Sequence, residues 1–150
     1  AAARPARPPP LASEAKVTAS YVHADLRGVN DQVDPANSND HDVSWLDWWP
    51  HRNTTEWVQY ELKAPATVSQ AEVYWFDDTT AGGGCGLPAS WRVLYRKDGQ
   101  WLPVEGASGY GVERDRFNAV TFAPVTTDAL RLEVKLKKDV AAGVMEWRVK

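Results

Sequence analysis

Cysteine is almost missing from this chain. One thiol, Cys85, stands in 150 residues, which excludes an intramolecular disulfide framework and any multi-cysteine zinc site. No apolar run approaches the ~20 residues that a membrane-spanning helix requires. Surplus positive charge is missing as well: 17 Lys and Arg against 20 Asp and Glu leave a formal charge of −3, whereas a dedicated nucleic-acid binder normally carries a basic patch. Neither nucleic acid nor membrane is therefore expected as a partner. No G-x-S-x-G, H-E-x-x-H, Walker or Rossmann pattern is present, and no window sustains a helical period over the ~11 residues such an assignment needs.

What is present is enough for one core. The chain is 43% hydrophobic and 25% charged, a composition that folds, and its length fits a single domain. The unusual component is tryptophan, eight residues against three Phe. One small core does not need that many large rings, so some are expected to face outward.

Residues 1–12 read AAARPARPPPLA, an extended proline-rich spacer that we take as an interdomain linker. With no initiator Met and no apolar signal core ahead of it, it reads as part of a longer chain. The folded module is expected over 13–150. There, apolar and polar residues alternate with period two. Val58, Tyr60 and Leu62 precede an Ala64-Pro65 break, and Ala71, Val73 and Trp75 follow it. Trp91, Val93 and Tyr95 lead through an Asp98-Gly99 turn into Gln100-Trp101-Leu102. Val120 and Phe122 stand before a Pro124 break, then come Leu130, Leu132 and Val134; Lys16 to Val22 and Val144 to Val149 are also strand-like. About eight short strands separated by turn signals predict an all-β antiparallel sandwich or barrel.

Two long polar segments interrupt the pattern, and loops of that length are usually functional or disordered. Six of the twelve aspartates lie between Asp25 and Asp47. Crowded carboxylates suit a hard cation such as Ca²⁺, which takes six to eight oxygens. The run from Asp31 is no EF-hand, because Ala36 and Asp42 stand where Gly and Glu belong. The alternative is a polar loop held by Asx-turns. The cluster Trp45, Trp48, Trp49 and His51 offers a flat ring for stacking on sugar C–H faces, with an imidazole beside it. On a strand, Trp48 and Trp49 would point to opposite faces, one into the core and one outward. The glycine-rich loop Asp77 to Ala89 adds the Asp77-Asp78 carboxylates. The segment Tyr110 to Asn118 adds Arg114, Arg116 and the Asn118 amide. His23 and His41 read as surface residues, and Cys85 as a buried thiol that pins its loop.

The order of these features resembles a family. An Asp-bearing loop after the first strand, a Trp, and then Glu56-Trp57-Val58-Gln59-Tyr60-Glu61-Leu62 resemble the W-x-x-x-D-L strand of discoidin-like (coagulation factor 5/8 type C) domains. The segments Trp91 to Trp101, Leu130-Arg-Leu-Glu-Val and Val144-Met-Glu146-Trp-Arg-Val continue the likeness over about residues 14 to 150. More narrowly, PANSNDH, TTEWVQYEL, EVYWFDD, GGGCGLPASWRVLY and TTDALRLEV resemble the module appended to bacterial plant-polysaccharide enzymes, including β-L-arabinofuranosidase-like proteins.

The resemblance implies a galactose-binding-like two-sheet jelly roll that acts as a non-catalytic carbohydrate-binding module. It would be a secreted or periplasmic monomer, tethering the catalytic domain of its parent chain to poly- or oligosaccharide. It also implies a structural Ca²⁺ held by Asp31, Ser38 and Glu146. Sugar contacts are expected from Trp48 or Trp49 as the stacking ring, with His51, Asp78, Arg114 and Asn118 as hydrogen-bonding groups. The competing reading is a structural accessory domain that packs on a catalytic domain and binds no sugar, its Trp cluster and glycine-rich loop forming an interface.

Overall fold

The computed structural model describes residues 10–150. Seven strands form: β1 (Lys16–Ala19), β2 (Leu46–Asp47), β3 (Thr55–Phe76), β4 (Ser90–Lys97), β5 (Gln100–Pro103), β6 (Phe117–Lys135) and β7 (Gly143–Val149). Among the described residues, helix is confined to 3₁₀ turns at Leu11–Glu14, Leu26–Gly28 and Thr79–Ala81. All strand pairs within the ladder are antiparallel, in the order β2-β7-β3-β6-β4-β5, with β1 on the free edge of the first half of β3. No described helix is long and apolar enough to cross a membrane.

The expected breaks at Pro65 and Pro124 are bulges instead, inside two long strands. Between Glu61 and Ala66 of β3 the partner moves only from Ala129 to Thr127, so β3 carries three extra residues there. Between Val68 and Gln70 the partner moves from Val125 to Thr121, so the extra residues lie on β6. A bulge frees residues from the ladder and bends the strand, which is where a proline without an N–H is tolerated. The inward-facing parity changes only past the second irregularity: Val58, Tyr60 and Val68 are buried before it, and Ala71, Val73 and Trp75 after it.

These bends lay one hydrogen-bonded ladder down as the two layers of a β-sandwich. The first half of β3 belongs to the layer with β1, β4 and β5, and its second half to the layer with β7 and β2. Rings from the two layers meet between them. Tyr60 stacks on Trp147 with centroids 3.9 Å apart, and Trp75 meets Trp91 edge-on at 5.5 Å. The Tyr60 hydroxyl lies 2.7 Å from the Trp147 carbonyl. Trp48, Trp75 and Trp147 are wholly buried. Trp57 and Trp101 are half-covered from outside by the Arg131 guanidinium, 4.2 and 4.3 Å from their centroids. Most of the tryptophan surplus is therefore structural.

The linker boundary moves. Residues 1–9 lie outside the described residues, but Ala12 is wholly buried and Leu11 packs on the core. The module thus starts before residue 13, because the turn at Leu11–Glu14 closes one end of the core.

Candidate functional site

The loops leaving β1 and β3 and entering β4 enclose a cleft of about 320 Å³. One wall is a short extended pairing in which the His23 amide donates to the Asp47 carbonyl and the Asp25 amide to the Trp45 carbonyl, at 3.1 and 3.0 Å. The other wall is the glycine-rich loop. There the Asp78 and Cys85 backbones pair at 3.0 Å, and Gly84 and Gly86 are tied to Ala141. Two glycines are required by close approach. A Cβ on Gly83 would sit 2.0 Å from Asp78 Cγ, and one on Gly84 would sit 2.7 Å from Trp49 Nε1. The loop's glycines let the Asp78 carboxylate fold back and the Trp49 indole lie against the backbone.

Asp47 organises the aromatic wall. It is 3% exposed. Its carboxylate accepts from the Trp45 indole N–H at 2.9 Å and from the Trp49 amide at 3.1 Å, and lies 2.8 Å from His23 Nδ1. A buried carboxylate with three N–H partners is satisfied, and it fixes the rings that hold them. Trp45 also stacks on Phe76 at 4.4 Å, and the His23 ring lies 5.0 Å from Trp49. With Nδ1 facing Asp47, the His23 Nε2 is left for a ligand. Asp78 uses Oδ1 to accept from the Cys85 amide. Cys85 closes the cleft floor. Burial first, then the negative charges of Asp47, Asp78 and Asp77, push its thiol far above the ordinary range, which disfavours the thiolate form.

Of the expected sugar contacts, the structure brings together Trp49 and Asp78. Trp49 is 41% exposed, the one large aromatic ring so exposed among the described residues. Trp48 is corrected: it is wholly buried and cannot meet a ligand. His51 lies outside the cleft lining, stacked on Tyr21 at 4.0 Å with Nδ1 3.2 Å from the buried Glu56. Asn118, at the start of β6, is 5% exposed and its amide is used internally, accepting from the Glu113 amide and donating to the Val73, Glu113 and Arg116 carbonyls. Arg114 lies in a neighbouring cleft, with Nε 2.8 Å from Asp77. The sequence reading missed Asp47 and dismissed His23. Nothing local marks either one, because their role comes from the pairing of residues 23–25 with 45–47.

Among the expected metal ligands, Glu146 is wholly buried and neither carboxylate oxygen has a close, well-aligned hydrogen-bond partner. Burial first, and then the neighbouring Asp31 carboxyl, push its carboxyl up to about 9. Ser38 is engaged elsewhere. Its hydroxyl accepts from the Asp115 amide, and its own amide donates to Asp115 Oδ1, both at 2.8 Å, so it ties two loops together. Much of the remaining acidic run forms local turns, with Asp25, Asp40 and Asp47 each accepting from the amide two residues on.

No family model matches the chain. Solved structures do. The family 32 carbohydrate-binding module of C. perfringens NanJ, in complex with galactose, superposes with a TM-score of 0.70 at 17% identity, covering 93% of this chain and 95% of that one. The shared fold is the galactose-binding-like β-sandwich. A structure from the Streptococcus pneumoniae β-galactosidase BgaA gives 0.74 at 17% identity over 94% and 91% of the two chains. Chitosan-binding module 2 of a Paenibacillus sp. IK-5 chitosanase/glucanase, in complex with chitotriose, gives 0.65 at 13% over 93% and 98%.

Proposed function

We propose that this galactose-binding-like domain is a non-catalytic carbohydrate-binding module, and that it holds the catalytic domain of its parent chain on a poly- or oligosaccharide. The observation that carries this reading is Trp49: an exposed indole placed over a cleft by a buried carboxylate, with the acidic Asp78 and the His23 Nε2 beside it. Sugar rings present C–H groups on one face and hydroxyls at the edge, which an aromatic face and a few fixed polar groups complement. The donors of this wall are largely engaged, since the Trp45 indole and the Trp49 and Cys85 amides already serve Asp47 and Asp78. The Trp49 indole N–H and the Asp78 carboxylate remain open, so a ligand hydroxyl would accept from the first or donate to the second. Galactose and chitotriose in the modules of like fold support the same class of ligand.

A structural Ca²⁺ belongs to the same proposal. Two carboxyls face each other at Asp31 and Glu146, and the Gln32 amide and the Arg148 charge offset only part of the cost of burying the second. Such a partly compensated pair is costly unless a proton or cation sits between them. Calcium would supply charge neutralisation there and stabilise the fold; it has no part in sugar chemistry.

A glycan-array screen followed by calorimetric titration of Trp49→Ala tests the sugar reading. Binding to at least one glycan, lost in the variant, is the expected result. A blank array with an intact melting transition would overturn the reading in favour of the structural accessory domain.

A further inference from the structure

A second cleft, of about 270 Å³, opens on the other side of the glycine-rich loop, its lining including Asp77, Leu87, Arg114, Lys137, Asp139 and Val140. Asp78 lines the Trp49 cleft and Asp77 lines this one, and the Cα atoms of consecutive residues are only ~3.8 Å apart. The segment 77–87 is thus a narrow ridge with a cleft on each flank.

The second cleft carries cationic donors, which the lining of the Trp49 cleft lacks. Of its two carboxylates, Asp139 is exposed and Asp77 is engaged: Asp77 is 2% exposed, and its carboxylate accepts from the Thr79 amide and hydroxyl and pairs with Arg114 Nε at 2.8 Å. That contact fixes the guanidinium through one nitrogen. Among the described residues, its two terminal amino groups have no other ion-pair or hydrogen-bond partner. Lys137 is exposed and adds an ammonium group, which only donates. Leu87 and Val140 are half-buried and supply an apolar floor of the kind a sugar C–H face covers.

We propose that this second cleft is a further sugar subsite, and that one glycan chain crosses the 77–87 ridge. One residue docks on Trp49, and a nearby residue along the chain presents its acceptor oxygens to Arg114 and Lys137. The proposal rests on the reading of the Trp49 cleft as a sugar site and narrows its ligand to an oligosaccharide segment. Two contacts on one chain make the second docking intramolecular, so affinity rises with chain length until both clefts are reached and then levels off.

Calorimetric titration with glucosamine oligomers and with β-linked galactose oligomers, each from the monosaccharide to the hexasaccharide, tests this. In the series that binds, affinity should rise about tenfold or more between the monosaccharide and the trisaccharide or tetrasaccharide. Lys137→Glu should remove that rise and leave monosaccharide affinity within about twofold, because Lys137 does not line the Trp49 cleft. Lys137 is exposed, so this variant spares the fold; Arg114→Gln, which unpairs buried Asp77, is read only alongside its melting curve. Equal affinity at all lengths overturns the second subsite while leaving the Trp49 site standing. Equal weakening of monosaccharide and oligosaccharide by Lys137→Glu overturns it as well. Binding of neither series, together with a blank array, overturns both readings.

Discussion

Truncating the two adjacent tryptophans should separate folding from binding. Trp48 is wholly buried, and truncating such a residue to Ala costs ~3–5 kcal/mol. Its indole N–H is also buried without a partner, so the truncation relieves a desolvated donor and recovers ~1–3 kcal/mol. The net loss then centres on about 2 kcal/mol. For a domain of this size each kcal/mol moves Tm by roughly 2–4 °C, so Trp48→Ala should melt about 4–8 °C lower. Trp49 is 41% exposed, and its tie to Asp47 runs through the backbone amide, which survives truncation. Trp49→Ala should change stability by less than about 1 kcal/mol. It should weaken glycan binding by about 2 kcal/mol or more, as for an aromatic hot spot, or about 30-fold. Differential scanning calorimetry and isothermal titration on both variants give the four numbers. If Trp48→Ala melts like the parent, or Trp49→Ala binds like it, the division between core ring and platform ring is wrong.

Asp47→Asn keeps the size of the side chain but puts an amide NH₂ among three N–H partners. It should cost about 2–3 kcal/mol of stability and weaken sugar binding, measured by urea unfolding and titration; unchanged values in both would refute its organising role. Chelator should lower Tm of calcium-loaded protein, and Glu146→Gln should remove that response. In metal-free protein Glu146 stays protonated up to about pH 9 against an ordinary 4.5. Its contribution to stability is therefore full below about pH 4.5 and is lost as pH rises through 9. Calcium must displace that proton, so its affinity should climb with pH across the window, and a pH-independent affinity would sink the assignment. Cys85, buried with its thiol pushed up, should resist a thiol reagent in the native state and react on unfolding; rapid native labelling would contradict its place on the cleft floor.

The period-two alternation in Tyr60, Val73, Trp91 and Leu132 sufficed for an all-β reading, because each residue's direction on a strand is a local property. The prolines misled the strand count for the opposite reason. Whether Pro65 and Pro124 end a strand or occupy a bulge depends on the partner's register, which lies on another part of the chain. The site was legible in the same partial way. A Trp-rich segment and a glycine-rich loop announced themselves by composition.

Strand alternation, the lack of any helical scaffold and the presence of more large rings than a core consumes are all properties of residue order and composition, and they were readable before any folding. Which ring faces out, that His23 and Asp47 stand with Trp49, and that Arg114 lies across the ridge in a separate cleft were settled by the folded chain. Those facts come from loops brought together by strands far apart in the chain, and no local pattern records where a loop from one strand end meets a loop from another.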